Sequence, residues 1–162
     1  MATGDIKILA QASTKGRGAR KYNVAANATT INPGEPVARA LAGVTVTQMA
    51  TNKPVVATDY LVGIAATTST QTASVAGEVW VYPITPQTTY IINAYDSTCW
   101  DTQAEYDALV GARVLFDLSA GGVFTILSTD DSTYGAVIQT LDIFKYPGKV
   151  AFAFRAGVSD LS

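Results

Sequence analysis

Short apolar runs, each broken within a few residues, constrain this chain's fold more than any other feature. LVGIA, EVWVY and TYII end at Pro, Asn or a cluster of Thr and Ser. Such runs suit strands and are too short for most helices. Val, Ile, Thr and aromatic residues supply them, and these side chains fit a pleated surface. The alternation is cleanest over 149–155, where Val150, Phe152 and Phe154 alternate with Lys149, Ala151, Ala153 and Arg155. Over 43–47, Val44 and Val46 face one way while Thr45 and Thr47 face the other. Further strands are predicted over 20–25, 36–41, 54–57, 61–65, 78–82, 89–92, 112–118, 123–127 and 134–141, and 6–9 is either a short strand or the start of an arm.

The breaks carry their own chemistry. In INPGE (31–35), Pro33 and Gly34 sit where a type II turn wants them. Gly121 and Gly122 predict a tight hairpin turn. Pro83 and Pro86 end the 78–82 strand, because proline cannot donate to a ladder. One helix is expected. Thr102-Gln-Ala-Glu105 matches a capping box, Tyr106, Leu109 and Val110 then share a face, and Gly111 can close the end. Many strands with one helix predict an all-β fold: a small β-barrel or β-sandwich with one short helix and an extended N-terminal arm.

With 162 residues the chain can bury a core of its own. It divides into a basic, flexible N-terminal arm (1–21), a single β domain (22–156) and a C-terminal tail (157–162). The arm holds Lys7, Lys15, Arg17, Arg20 and Lys21 against Asp5, whereas the whole chain has a net charge of −2. Two readings fit it: an ordinary loose terminus, or an arm that orders against a partner. The net negative charge argues against a general nucleic-acid or anionic-membrane binder. Only 15% of residues are charged, which favours an oligomer or a large assembly. No run reaches the ~20 apolar residues of a membrane helix. The start lacks the layout of a signal peptide, so synthesis in a cytoplasm is expected.

Catalytic equipment is sparse. The chain has no histidine, so Ser-His-Asp and Cys-His arrangements cannot be built. Its one cysteine, Cys99, beside Trp100, suits a small buried hydrophobe and cannot anchor a zinc cluster or an intrachain disulfide. No phosphate-cradling loop is present. Glu105 is explained by the capping box and Asp101 by the favourable field at a helix N-terminus. Asp130 and Asp131 suit a solvated turn, lacking the spaced ligands of a calcium loop. The expectation is a protein that is not an enzyme and takes no cofactor or metal.

The aromatics say more. In GEVWVY (77–82), Trp80 and Tyr82 point to one face and Val79 and Val81 to the other. The strand is sandwiched between two layers, or its aromatic face is a subunit interface, or that face is a carbohydrate platform. Candidate interface residues are therefore Lys15, Arg17, Arg20, Lys21, Trp80 and Tyr82.

The succession INPGEPVARA, VGIAATTST, GEVWVYP and GARVLFDLSAGGVFTILSTDDS resembles small head-decoration, or cement, proteins of tailed bacteriophages, over about residues 30 to 155. The basic N-terminal segment is similar to the arms with which such proteins latch onto a shell. The resemblance implies a virion protein on the outer capsid surface, made in the bacterial host cytoplasm. It would bind the major capsid protein and itself, as a homotrimer, bridging capsomers and stabilising the shell without direct nucleic-acid or membrane contact. It implies no residue roles. The alternatives are a head-tail connector or tail-tube structural subunit, and a carbohydrate-binding module or small glycosidase using Trp80, Tyr82 and a carboxylate.

Overall fold

A computed structural model describes residues 6–11, 18–39, 43–85, 87–94, 100–118, 124–126 and 130–158. The fold is all-β with one short helix and a closed five-stranded barrel. In chain order the elements are β1 (Lys7–Gln11), β2 (Arg20–Val24), β3 (Pro36–Arg39), β4 (Val46–Gln48), β5 (Tyr60–Ala65), β6 (Gly77–Pro83), β7 (Thr88–Asn93) and α1 (Gln103–Leu109). After the helix come β8 (Arg113–Val114), β9 (Phe116–Leu118), β10 (Phe124–Ile126), β11 (Ala136–Gln139), β12 (Lys149–Phe154) and a 3-10 turn, Ala156–Val158.

The barrel closes in the order β2-β4-β3-β5-β6. Its pairs are antiparallel except β2 with β4, which run parallel through Val24 and Val46. Side chains alternate across a strand, so each strand sends its small apolar residues inward. Val24, Val37, Val46, Val62, Ala65, Val79 and Val81 fill the interior with Ile31. Residues 67–72, an uncharged Thr/Ser stretch, follow β5 and bond to β6 at Thr67 and Thr70. Ser69 and Gln71 are buried. The Ser69 hydroxyl oxygen accepts from the Ile31 amide at 2.8 Å.

The second layer is a five-stranded sheet, ordered β1-β7-β12-β11-β8. Its core holds Tyr90, Phe116, Phe124, Phe152 and Phe154, and the barrel contributes Met49, Leu61 and Ile64 to the same cluster. Phe116 packs edge-on to Phe152 at 5.1 Å and stacks with Phe154 at 5.7 Å between ring centroids. β5 therefore serves two cores. A bulge makes this possible: Gly63 pairs with Val37 and Leu61 with Ala38, leaving Val62 as the extra residue. Leu61 and Ile64 face the sheet while Val62 and Ala65 face the barrel interior.

Several expectations were met and others were not. The Pro33–Gly34 turn forms, with Gly34 at φ 85°. The capping box forms too: Thr102 Oγ1 accepts from the Glu105 amide, and Glu105 Oε2 accepts from the Thr102 amide. Gly111 follows the helix at φ 91°. Val110 points out of the core, because its extended backbone has already left the helix. Residues 54–57 form a turn rather than a strand, held by Asp59, whose carboxylate accepts from the Val55 amide at 2.7 Å. Val44 lies outside β4 and is exposed. The predicted strand 112–118 breaks at Leu115, where the chain leaves β11 for β10, so Val114, Leu115 and Phe116 are buried in succession.

The described residues at the two ends also differ from a loose arm and tail. β1 is hydrogen-bonded to β7 from Lys7 to Gln11, and Ile6 is buried. Arg20 and Lys21 open β2 of the barrel. The physical reason is that Ile6 and the ladder of β7 each satisfy what the other lacks: apolar cover and backbone partners. Val158 is buried, and the Gly157 carbonyl accepts from the Ala57 amide. The rest of the predicted tail, Lys15, Arg17, Pro86, Cys99, Gly121 and Gly122 lie outside the described residues.

Candidate interaction face on the barrel wall

The strand period sorts β6 into two sets. Val79 and Val81 are fully buried in the barrel, while Trp80 is 46% and Tyr82 49% exposed. The strand is thus not sandwiched between two layers, because no described layer of the fold buries its outer face at Trp80 and Tyr82.

β2 completes that face. Lys21 pairs with Trp80 and Asn23 with Glu78. Residues directly opposite in an antiparallel pair share a side of the sheet. Lys21, Asn23, Glu78, Trp80 and Tyr82 therefore project from one wall. Lys21 Nζ lies 2.9 Å from Glu78 Oε1, with both side chains half exposed. An exposed pair of this kind contributes little stability, about 0–1 kcal/mol. Its main effect is to make the patch beside Trp80 electrically neutral. Arg20 pairs with Val81 and so projects to the other side. The structure brings Lys21, Trp80 and Tyr82 together and sets Arg20 apart.

The wall is held along its edge. On the β5 side, the 66–70 segment takes up the backbone of β6. The Ala66 amide donates to the Trp80 carbonyl at 2.7 Å, and the Trp80 amide donates to Thr67 Oγ1 at 3.2 Å. The Glu78 amide donates to Thr70 Oγ1 at 2.9 Å. The Thr-rich stretch thus extends the ladder past the end of β5, with main-chain bonds from the Ala66 and Thr70 amides and side-chain bonds to the Thr67 and Thr70 hydroxyls. Close approach behind the wall also needs glycine. A Cβ on Gly63 would sit 2.0 Å from the Tyr82 carbonyl oxygen, and one on Gly77 would sit 2.1 Å from the Gln71 amide nitrogen. The aromatic face is therefore presented by a fixed backbone.

The carboxylates weighed for chemistry are committed locally. Asp130 accepts from the Arg113 amide and Nε, both at 2.9 Å, and from its Nη2 at 3.2 Å. These bonds to Arg113 hold the Asp130 carboxyl below the usual range and the guanidinium above its own. Asp131 accepts from the Thr133 amide at 2.8 Å and hydroxyl at 2.7 Å, which lowers its pKa. Glu105 is lowered by the amides of Asp101 and Thr102 in the helix cap. Among the described residues, no three His, Cys, Asp or Glu side chains gather as metal ligands would.

Sequence reasoning missed Asn23 and Glu78. The signal for Glu78 was available, two residues before Trp80 and hence on its face. Asn23 needed the β2–β6 register, which no local pattern supplies. No family model, curated protein or solved structure matches the chain.

Proposed function

We propose that this is a virion structural protein that binds the outer surface of an icosahedral phage shell and stabilises it by bridging capsomers. The observation that carries the reading is the wall of β2 and β6. It holds Trp80 and Tyr82 half exposed on a rigid support, beside a charge pair that cancels. Trp and Tyr supply much of the energy of protein interfaces, and a fixed backbone reduces the ordering cost of binding. The order of motifs from INPGEPVARA to STDDS, which resembles cement proteins, supports the same reading. A shell binder stabilises the assembled state by mass action.

The test is binding to purified expanded shells. The wild-type chain should raise the shell's disruption temperature. Trp80→Ala with Tyr82→Ala should weaken binding at least ~10-fold while the protein stays folded at the assay temperature, checked by circular dichroism. Truncating 1–21 would remove β1 and the start of β2, so the basic segment is tested instead by Lys15→Ala with Arg17→Ala. Unchanged binding in the aromatic variant would remove the wall from the account. Copy number per particle separates decoration from a connector or tail-tube subunit.

One observation favours a second reading, a carbohydrate-binding module. Two aromatic rings share a strand face with the hydrogen-bonding groups of Lys21, Asn23 and Glu78, which is what a sugar platform requires. Glycan-array binding abolished by Trp80→Ala would support it, and a blank array would leave it without support.

A further inference from the structure

Phe144 is 78% exposed, although its neighbours Leu141 and Ile143 are buried. It stands on a turn that is tied down on several sides. Asp142 Oδ1 accepts from the Phe144 amide at 3.0 Å and the Lys145 amide at 3.2 Å. Gln103 of α1 holds the same turn: its Oε1 accepts from the Ile143 amide at 3.2 Å, and its Nε2 donates to the Leu141 carbonyl at 2.8 Å. The Lys145 ammonium rests 5.3 Å from the centre of the Tyr146 ring. A phenyl ring and a cation are thus presented outward together by a preorganised tip.

Beside this tip lies a shallow depression of about 310 Å³, lined by Gln103, Asp107, Thr140, Leu141 and Asp142. Its two carboxylates give it a charge opposite to that of Lys145. Gln103 Nε2 also donates to Asp107 Oδ1 at 2.7 Å, fixing that carboxylate on the rim.

We propose that the occupant of this depression is the Phe144–Lys145 tip of a second copy of this chain. The pairing is apolar ring to hollow and ammonium to Asp107. Tip and depression are neighbours on one surface, so the contact is reciprocal: each copy inserts its tip into the other about a two-fold axis. A rigid exposed aromatic next to a complementary charge is the usual composition of an interface anchor. The inference does not depend on the shell-binding reading, since it concerns a different surface.

The experiment is analytical ultracentrifugation of the full chain from ~1 to ~100 µM. The wild-type chain should reach twice its single-chain mass. Phe144→Ser should raise the dissociation constant at least ~10-fold, with an unchanged melting temperature, since the side chain is exposed. Lys145→Glu should weaken pairing, and adding Asp107→Lys to it should restore pairing. A wild-type mass other than twice the chain, including the trimer that the family resemblance implies, overturns the proposal. So does a dimer that Phe144→Ser leaves intact, or a charge exchange that fails to restore it. A monomer whose shell binding is lost in Phe144→Ser also overturns it, by assigning the tip to capsid instead.

Discussion

Tyr106 shows how much one side chain can carry. It is buried, packs edge-on to Trp100 at 5.0 Å, and places its hydroxyl between β11 and β12. The oxygen accepts from the Ala151 amide at 3.0 Å and donates to the Gln139 carbonyl at 2.9 Å. Burial pushes the phenol up to about 12, so it stays protonated and able to donate. Tyr106→Phe keeps the ring and strands two buried backbone groups. The expected loss is ~2 kcal/mol, read as a lower denaturant midpoint with an unchanged slope. Asp130 acts at the same scale through charge. Its carboxyl titrates below the ordinary range because Arg113 binds the ionised form. Its stabilisation is complete above the unfolded carboxylate's pKa and is lost as pH falls through the lowered folded value. Wild-type stability should therefore fall in that acid window, and Asp130→Asn should flatten the fall. Identical pH profiles would show that the pair contributes nothing.

At the scale of elements, β5 and β6 decide the layout. β5 reads as an unbroken apolar run because both its faces are buried, and its bulge at Val62 splits those faces between two cores. Gly63 next to that bulge lets the Tyr82 backbone approach. Gly63→Ala should lose ~3 kcal/mol or more, because the clash is with main chain and no side chain can move aside. Gly18→Ala is the matched control, since nothing lies within 4 Å of a Cβ there. Equal melting temperatures for the two variants would sink the close-approach account. β8 and α1 illustrate the opposite case, where local chemistry is sufficient. Arg113 at the sheet's edge is paired by Asp130, and the Thr102–Glu105 box fixes where the helix begins.

At the scale of the whole molecule, β5 of the barrel packs into both cores, so the barrel and the sheet should not melt apart. The two tryptophans report on each part: Trp80 on the barrel wall, and Trp100 in the larger core. Trp80→Phe and Trp100→Phe each leave one reporter. Their fluorescence transitions in denaturant should coincide. Two separated midpoints would mean that β5 does not couple the cores. The same organisation predicts that altering the aromatic face costs less stability than altering either core. Trp80 and Tyr82 point away from both cores, so their substitution should affect binding more than stability.

The sequence by itself determined the all-β class, the capped helix, the Pro33–Gly34 turn, and the split of 78–82 into aliphatic and aromatic faces. Each is set by residues within one turn or one strand of each other: a hydroxyl and carboxylate three apart, a glycine at positive φ, a period of two. Only the tertiary structure decided which face of 78–82 is outside, since alternation fixes two sides but not what covers them. It also decided that β1 belongs to the sheet, that 112–118 divides between sheets, and that 67–72 bonds to β6. Those outcomes depend on pairing between segments far apart in the chain, where the partner's ladder and apolar surface, not the local pattern, set the lowest free energy.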